Sequence, residues 1–153
     1  MTLLRRFIPG LFCCLTALPL AAQELIQARI GDELFRLELA ADPDSRRQGL
    51  MEREALPAGS GMLFDFPSGA TPAIWMRNMR ISLDLLFVDG QAAIQRIFHS
   101  VPPCEDLPCE IYQEQHPLRF VIELPAGTAD RLGLQVGDVL DLGGRERTPA
   151  PSF

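Results

Sequence analysis

Between Leu25 and Leu142, apolar runs of only four to eight residues are cut again and again by turn-forming residues, and no apolar pattern keeps a helical period for long. That interruption limits the fold more than any other feature. Parallel strands need crossovers of about a dozen residues or more, usually helical, and no segment here reads as a helix of that length. Many short strands separated by turn signals predict a mainly β domain, an antiparallel β-sandwich or open barrel with one or two short helices.

The segments can be placed individually. Leu25–Ile30 and Glu33–Ala40 flank Gly31-Asp32, a hairpin signal. In the second, Phe35, Leu37 and Leu39 alternate with Arg36 and Glu38, which is the period of a strand with one face buried. Asp42-Pro43 reads as an N-cap and first helical position, so a short helix is expected over Pro43–Gln48, stopping at Gly49. Met62–Phe66, Ala73–Met76 and Leu85–Val88 are short apolar strands, and Asp89-Gly90 is a two-residue turn into Ala92–Phe98. Along Leu118–Leu124, the residues Arg119, Val121 and Glu123 alternate with larger apolar ones, the pattern of an amphipathic strand. A second short helix is expected up to Leu132, capped by Gly133, and a last strand over Val136–Leu142. Residues 23–142 then form one domain, and the polar, proline-rich stretch 143–153 is expected to be a flexible tail.

The charges narrow the function classes. Fourteen basic residues, all arginine, face twenty acids, for a net charge of −6. With no basic run, nucleic acid is not an expected partner. Neither a phosphate-cradling GxxxxGK[ST] loop nor a GxGxxG loop is present, so no nucleotide cofactor is implied.

The first residues read as an address. Arg5-Arg6 precede an apolar stretch, Phe7–Leu20, followed by Ala21-Ala22 and polar Gln23. This is the make-up of a secretory signal peptide over residues 1–22, cleaved near Ala22. The apolar run is too short to span a bilayer. A periplasmic or secreted protein without membrane attachment is therefore expected after cleavage. Removing residues 1–22 leaves Cys104 and Cys109 as the two cysteines. In an oxidising compartment they are expected to form a disulfide that shapes a loop already stiffened by Pro102, Pro103 and Pro108.

Residues 49–89 carry a specific string: Gly-Leu-Met-x-Arg at 49–53, Gly-Met-Leu-Phe-x-Phe at 61–66, Trp-Met-x-Asn at 75–78 and Leu-Asp-x-x-Phe-Val-Asp at 83–89. Val-Pro-Pro-Cys at 101–104, Pro-Cys at 108–109, Tyr112, Glu123-Leu124 and Val-Gly-Asp at 136–138 follow in order. Over about residues 30–142 this resembles domain-of-unknown-function family 192. The resemblance implies a small, mainly β, sandwich-like domain, often exported, and implies no activity.

Several constellations compete for a functional role. Met51, Met62, Met76 and Met79 fall within 29 residues beside Trp75. Thioethers suit Cu(I), which would make the chain a periplasmic copper binder, but methionine also fills irregular cores. His99, Cys104, Cys109 and His116 could ligate zinc only if the thiols were reduced. Asp65 and Asp84 are the acids a hydrolase-like enzyme would use, although short carboxylates at turns commonly serve backbone amides instead. No serine lies in a G-x-S-x-G setting, and no catalytic residue is assigned. What remains is Arg53, Trp75, Arg77, Asn78 and Asp84: an aromatic body beside bidentate donors, suited to recognising a carbonyl, carboxylate or sugar. The expected function is accordingly a ligand- or protein-binding module without cofactor or metal. Its partner would be a small molecule or an envelope protein. Trp75, Asn78 and Asp84 would line one pocket, with Arg53 or Arg77 at its edge.

Overall fold

A computed structural model describes residues 24–152. The proposed signal segment, residues 1–22, lies outside the described residues. The first hairpin is β1 (Leu25–Ile30) and β2 (Glu33–Ala40), paired antiparallel with Leu37 opposite Ile26 and Phe35 opposite Ala28. Helix α1 (Pro43–Gln48) follows. Its limits are set locally: the Asp42 carboxylate accepts from the amides of Asp44 and Ser45, each at 3.0 Å, and Gly49 ends the helix at φ 47°. Next come β3 (Ser60–Asp65), β4 (Ala73–Trp75), β5 (Leu83–Val88), β6 (Ile94–Val101), β7 (Ile111–Gln113) and β8 (Phe120–Pro125), and then α2 (Thr128–Leu132).

Six strands form one sheet in the order β1-β2-β3-β8-β5-β6, and β4 pairs with β7 in a separate two-stranded ribbon. Every pair is antiparallel except β2 with β3, which run parallel. The lack of any long helical pattern argues against a parallel pair, yet residues 41–59, the single short helix α1 plus a loop, make that crossover. The domain is thus mainly β with a mixed sheet that does not close into a barrel, its order ending at β1 and β6.

Both faces of the sheet are covered, which divides the core in two. Ile30, Phe35, Leu37, Leu63, Leu86, Phe120, Ile122 and Leu124 pack on one face. Met62, Phe64, Leu83, Leu85, Phe87 and Val121 pack on the other, together with Ile74 and Met76 from the β4 region. Successive residues of a strand point to opposite faces, so β3, β5 and β8 each feed both cores. At Gly61 there is no room for a side chain: a β-carbon would collide with the Glu123 carbonyl oxygen and sit 2.9 Å from Leu37 and Leu124 methyl carbons.

Three local expectations change. The strand over Val136–Leu142 does not form: that segment makes only single bridges, Asp141 with Arg29 and Val139 with Ala93. It bonds first to the stretch around Ala92–Ile94, at the start of β6, and then to Arg29 of β1, too briefly with either to make a strand. The short strand β7 forms in a stretch whose cysteines and prolines suggest only a loop. The turn after β5 extends past Gly90 to Ala92, at φ 64°, with the Asp89 carboxylate accepting from the amides of Gln91 and Ala93. Cys104 and Cys109 are bonded, with Cα atoms 5.6 Å apart, and the Cys104 amide donates to the Met76 carbonyl, tying this loop to the end of β4. In the stretch after Leu142, Arg145 and Arg119 both pair with Asp65, and Arg119 also donates to the carbonyls of Thr148 and Pro149.

Candidate functional site

Strand β8 carries Glu123 on the face of the second core, between Met62 of β3 and Leu85 of β5 in register. The residue is 5% exposed, and its Oε2 is one of two buried side-chain oxygens with no hydrogen-bond partner among the described residues; the other belongs to Glu146, whose Oε1 meets Arg147. Burial alone pushes the Glu123 carboxyl up to about 8, so near neutral pH it is mostly the undissociated acid.

Glu123 opens onto a cavity of about 260 Å³. Its walls are assembled from three segments. The last turn of α1 contributes Arg46 and Arg47, and the chain reversal at Gly49 brings in Leu50 and Met51. A β-carbon on Gly49 would press within 3.2 Å of the Phe64 ring, so this corner needs glycine twice, for its backbone and for its space. Strand β3 and its continuation provide Phe64 and Phe66, stacked with ring centroids 6.4 Å apart. The β4 segment provides Ile74 and Trp75, and Met79 follows. Trp75 is 44% exposed, a large aromatic surface left at the rim. The arrangement is a mainly apolar cleft with Arg46, Arg47 and Gln48 on one wall, an aromatic lip and a single unpartnered acid, the features that mark small-ligand sites.

The residues singled out from the sequence divide between this cavity and its supports. Trp75 lines it. The Arg77 guanidinium carbon lies 5.9 Å from the Trp75 ring centroid, at the edge. Asn78 is not a lining residue: it sits at φ 60°, its carbonyl accepts from the Glu52 amide at 2.9 Å, and its Nδ2 faces the Met51 sulfur at 3.9 Å. It braces the loop that carries Met51. Arg53 is likewise held elsewhere, donating twice to the Glu38 carboxylate. Asp84 departs furthest from the expected pocket. It is fully buried on the opposite face, and its two oxygens accept from the amides of Ser100, Gly127 and Ala129 at 2.7–3.1 Å. Trp75, Asn78 and Asp84 therefore do not line one cavity. Asp84 instead holds the start of α2, whose own N-cap, Gly127, has no side chain to do so.

The competing constellations are also placed. Asp65 is fully buried between Arg119 and Arg145, with N–O distances of 3.0 and 2.7 Å. Met62 and Met76 are buried in the second core, Met79 packs against it, and Met51 and Met79 face the cavity. His99 pairs with Asp130 at 2.9 Å. Among the described residues no three His, Cys, Asp or Glu side chains converge in a way that could hold a metal ion, and no helix is long and apolar enough to cross a membrane.

Glu123 is not singled out by the sequence. Its place in an alternating run makes it look like a member of a wet face. Two signals run the other way: Val121 is an apolar residue on that same face, and Glu123-Leu124 belongs to the string that resembles the family.

No curated protein matches the chain. Two solved structures are similar to it. One, from Sinorhizobium meliloti, is described as a candidate transcription regulator and is 34% identical, with a TM-score of 0.74, over 80% of this chain and 97% of that one. The other, a protein of unknown function from Novosphingobium aromaticivorans, is 28% identical, with a TM-score of 0.72, over 80% and 89%. The model of the DUF192 family, described as uncharacterized ACR, matches residues 26–142. That span runs from β1 to the last bridging segment and includes every wall of the Glu123 cavity, so the chain belongs to the DUF192 family.

Proposed function

We propose that this chain is an exported small-molecule binding module whose recognition site is the cavity between α1, β3 and β4, with Trp75 at its lip and Glu123 at its base. One observation carries the reading: a buried carboxyl whose Oε2 has no partner, on a residue that lines a solvent-open cleft walled mainly by apolar and aromatic side chains, with Arg46, Arg47 and Gln48 among them. Leaving such a group unpaired costs about 1–3 kcal/mol, and a ligand that pairs with it recovers that amount. The hydrolase-like and copper-binding alternatives find less support. Both oxygens of Asp65 and of Asp84 are already engaged by arginines or amides, and two of the clustered methionines are core residues. Export is supported by the Arg5-Arg6 and apolar make-up of the first residues and by the Cys104–Cys109 bond, which persists in oxidising compartments.

The test is amide chemical-shift mapping of the mature chain against a library of fragment-sized neutral, cationic and anionic compounds. Shifts concentrated at Gly49, Leu50, Ile74, Trp75 and Glu123 are expected. Binders that map consistently to another surface, or a library with no binder, would overturn the reading.

A further inference from the structure

We infer that the cavity receives a neutral molecule with a compact apolar body and an amide-type head, and that the Glu123 carboxyl is the group that pairs with that head. This rests on the binding reading above and adds the chemical class of the ligand.

The charged groups around Glu123 are spoken for. From α1, the Arg46 guanidinium donates to the carbonyls of Ala41 and Asp65 at 2.5 and 3.0 Å, and Arg47 pairs with Asp44 at 2.9 Å. From β2, Glu38 lies in the same row of the sheet, beyond Met62, and is paired with Arg53. Beyond β4, Arg77 lies over Trp75. The flanking Met62 and Leu85 carry no charge. No cation therefore holds Glu123 in its ionised form; burial is the only influence on it, and it favours the acid.

An undissociated carboxyl offers an O–H donor and a carbonyl acceptor side by side. A carboxamide, lactam or urea offers the complementary donor and acceptor and pairs with the acid without burying a charge. An ammonium ligand would have to ionise Glu123 inside an apolar cleft and meet the desolvation cost of a buried ion pair, beside a rim that already bears Arg46 and Arg47. A carboxylate ligand could accept from the O–H but has no hydrogen to return to the Glu123 carbonyl. The walls of Leu50, Phe64, Phe66 and Ile74 ask for an apolar body, and about 260 Å³ limits it to roughly a single ring or a short branched chain.

Trp75 is the single tryptophan of the chain, so intrinsic fluorescence reports on this site without a label. The experiment titrates the mature protein with benzamide, benzylamine and benzoate, one body with three heads, in wild type, Glu123→Gln and Glu123→Leu, across the pH range around 8. Benzamide should bind at least about tenfold more tightly than the other two near neutral pH, a difference of about 1.4 kcal/mol. Its affinity should fall as Glu123 ionises. Glu123→Gln, which keeps a donor and an acceptor but cannot ionise, should retain benzamide binding and lose the pH dependence. Glu123→Leu should lose binding while remaining folded. Benzylamine binding most tightly, and more so at higher pH, would overturn the inference in favour of an organic cation. Benzoate binding most tightly, and weakening in Arg47→Ala, would overturn it in favour of an anion. If none of the three moves Trp75 while the fragment mapping finds cavity binders, the head-group assignment falls and the binding reading stands; if both are silent, both fall.

Discussion

Glu123 couples the stability of the fold to pH. In the unfolded chain its carboxyl titrates near the ordinary 4.5, and in the folded chain burial raises it to about 8. The folded state therefore binds the proton more tightly, and stability falls as pH rises between those two values. The contribution is fully present below the unfolded value and is lost by the time pH has passed the folded one. A shift of this size corresponds to a few kcal/mol. Chemical denaturation of the unliganded protein should show this decline in wild type and a much flatter profile in Glu123→Gln, with the variant the more stable of the two above the folded value. Equal slopes in the two proteins would mean that the carboxyl is not desolvated as the structure places it.

Two short helices show two ways of starting a helix too short to stabilise itself. Helix α1 carries its own device: Asp42 accepts from the first-turn amides, and Ser45 returns a bond to the Asp42 carbonyl. Helix α2 begins at a glycine in the left-handed conformation with no capping side chain and borrows Asp84 from β5, far away in sequence. The same carboxylate also takes the Ser100 amide at the end of β6, so one side chain joins three elements. Asp84→Ala strands these donors, at about 1–3 kcal/mol for each buried one, and should destabilise the domain by several kcal/mol in denaturant melts. Asp84→Asn keeps one acceptor and should lose less. In Asp84→Asn the Trp75 response to cavity ligands should be unchanged, because Asp84 lies on the other face of the sheet. A folded Asp84→Asn protein with that response abolished would show that the two sites are linked.

The molecule is organised as one sheet between two cores, with a buried ion-pair cluster at the end of β3. Asp65 at the end of β3 gathers Arg119, just before β8, and Arg145, beyond the last bridging segment. A fully buried carboxylate is tolerable only when it is paired in this way, and the arrangement ties the residues after Leu142 to the main sheet. The chain is also expected to shed its first 22 residues on export. Intact-mass measurement of protein from its native envelope should find a species beginning near Gln23, with its two remaining cysteines resistant to thiol labelling until reduced. A full-length cytosolic species with labelled thiols would refute the assignment.

Features that depend on a few neighbouring residues are legible in the amino-acid sequence itself. The limits of β1, β2 and α1 follow from Gly31-Asp32, from the alternation through Phe35, Leu37 and Leu39, and from the Asp42-Pro43 cap with Gly49, because turns, alternation and caps are all satisfied within one or two turns of backbone. The parallel pairing of β2 with β3 is not legible there, since no short-range signal says where a strand returns. The failure of Val136–Leu142 to become a strand has the same origin: its pattern is apolar, but its backbone partners are single positions at the two ends of the sheet, Ala93 before β6 and Arg29 of β1. The site is hidden for a related reason. The spacing of Arg119, Val121 and Glu123 tells which face of β8 they share, but whether that face meets water depends on β4, α1 and the loop from Gly49 folding over it. Once they do, Val121 is core and Glu123 becomes a buried acid at the base of a cavity. Burial, and with it the chemistry of the carboxyl, is a property of what covers a residue, and here the cover comes from segments some fifty to eighty positions away.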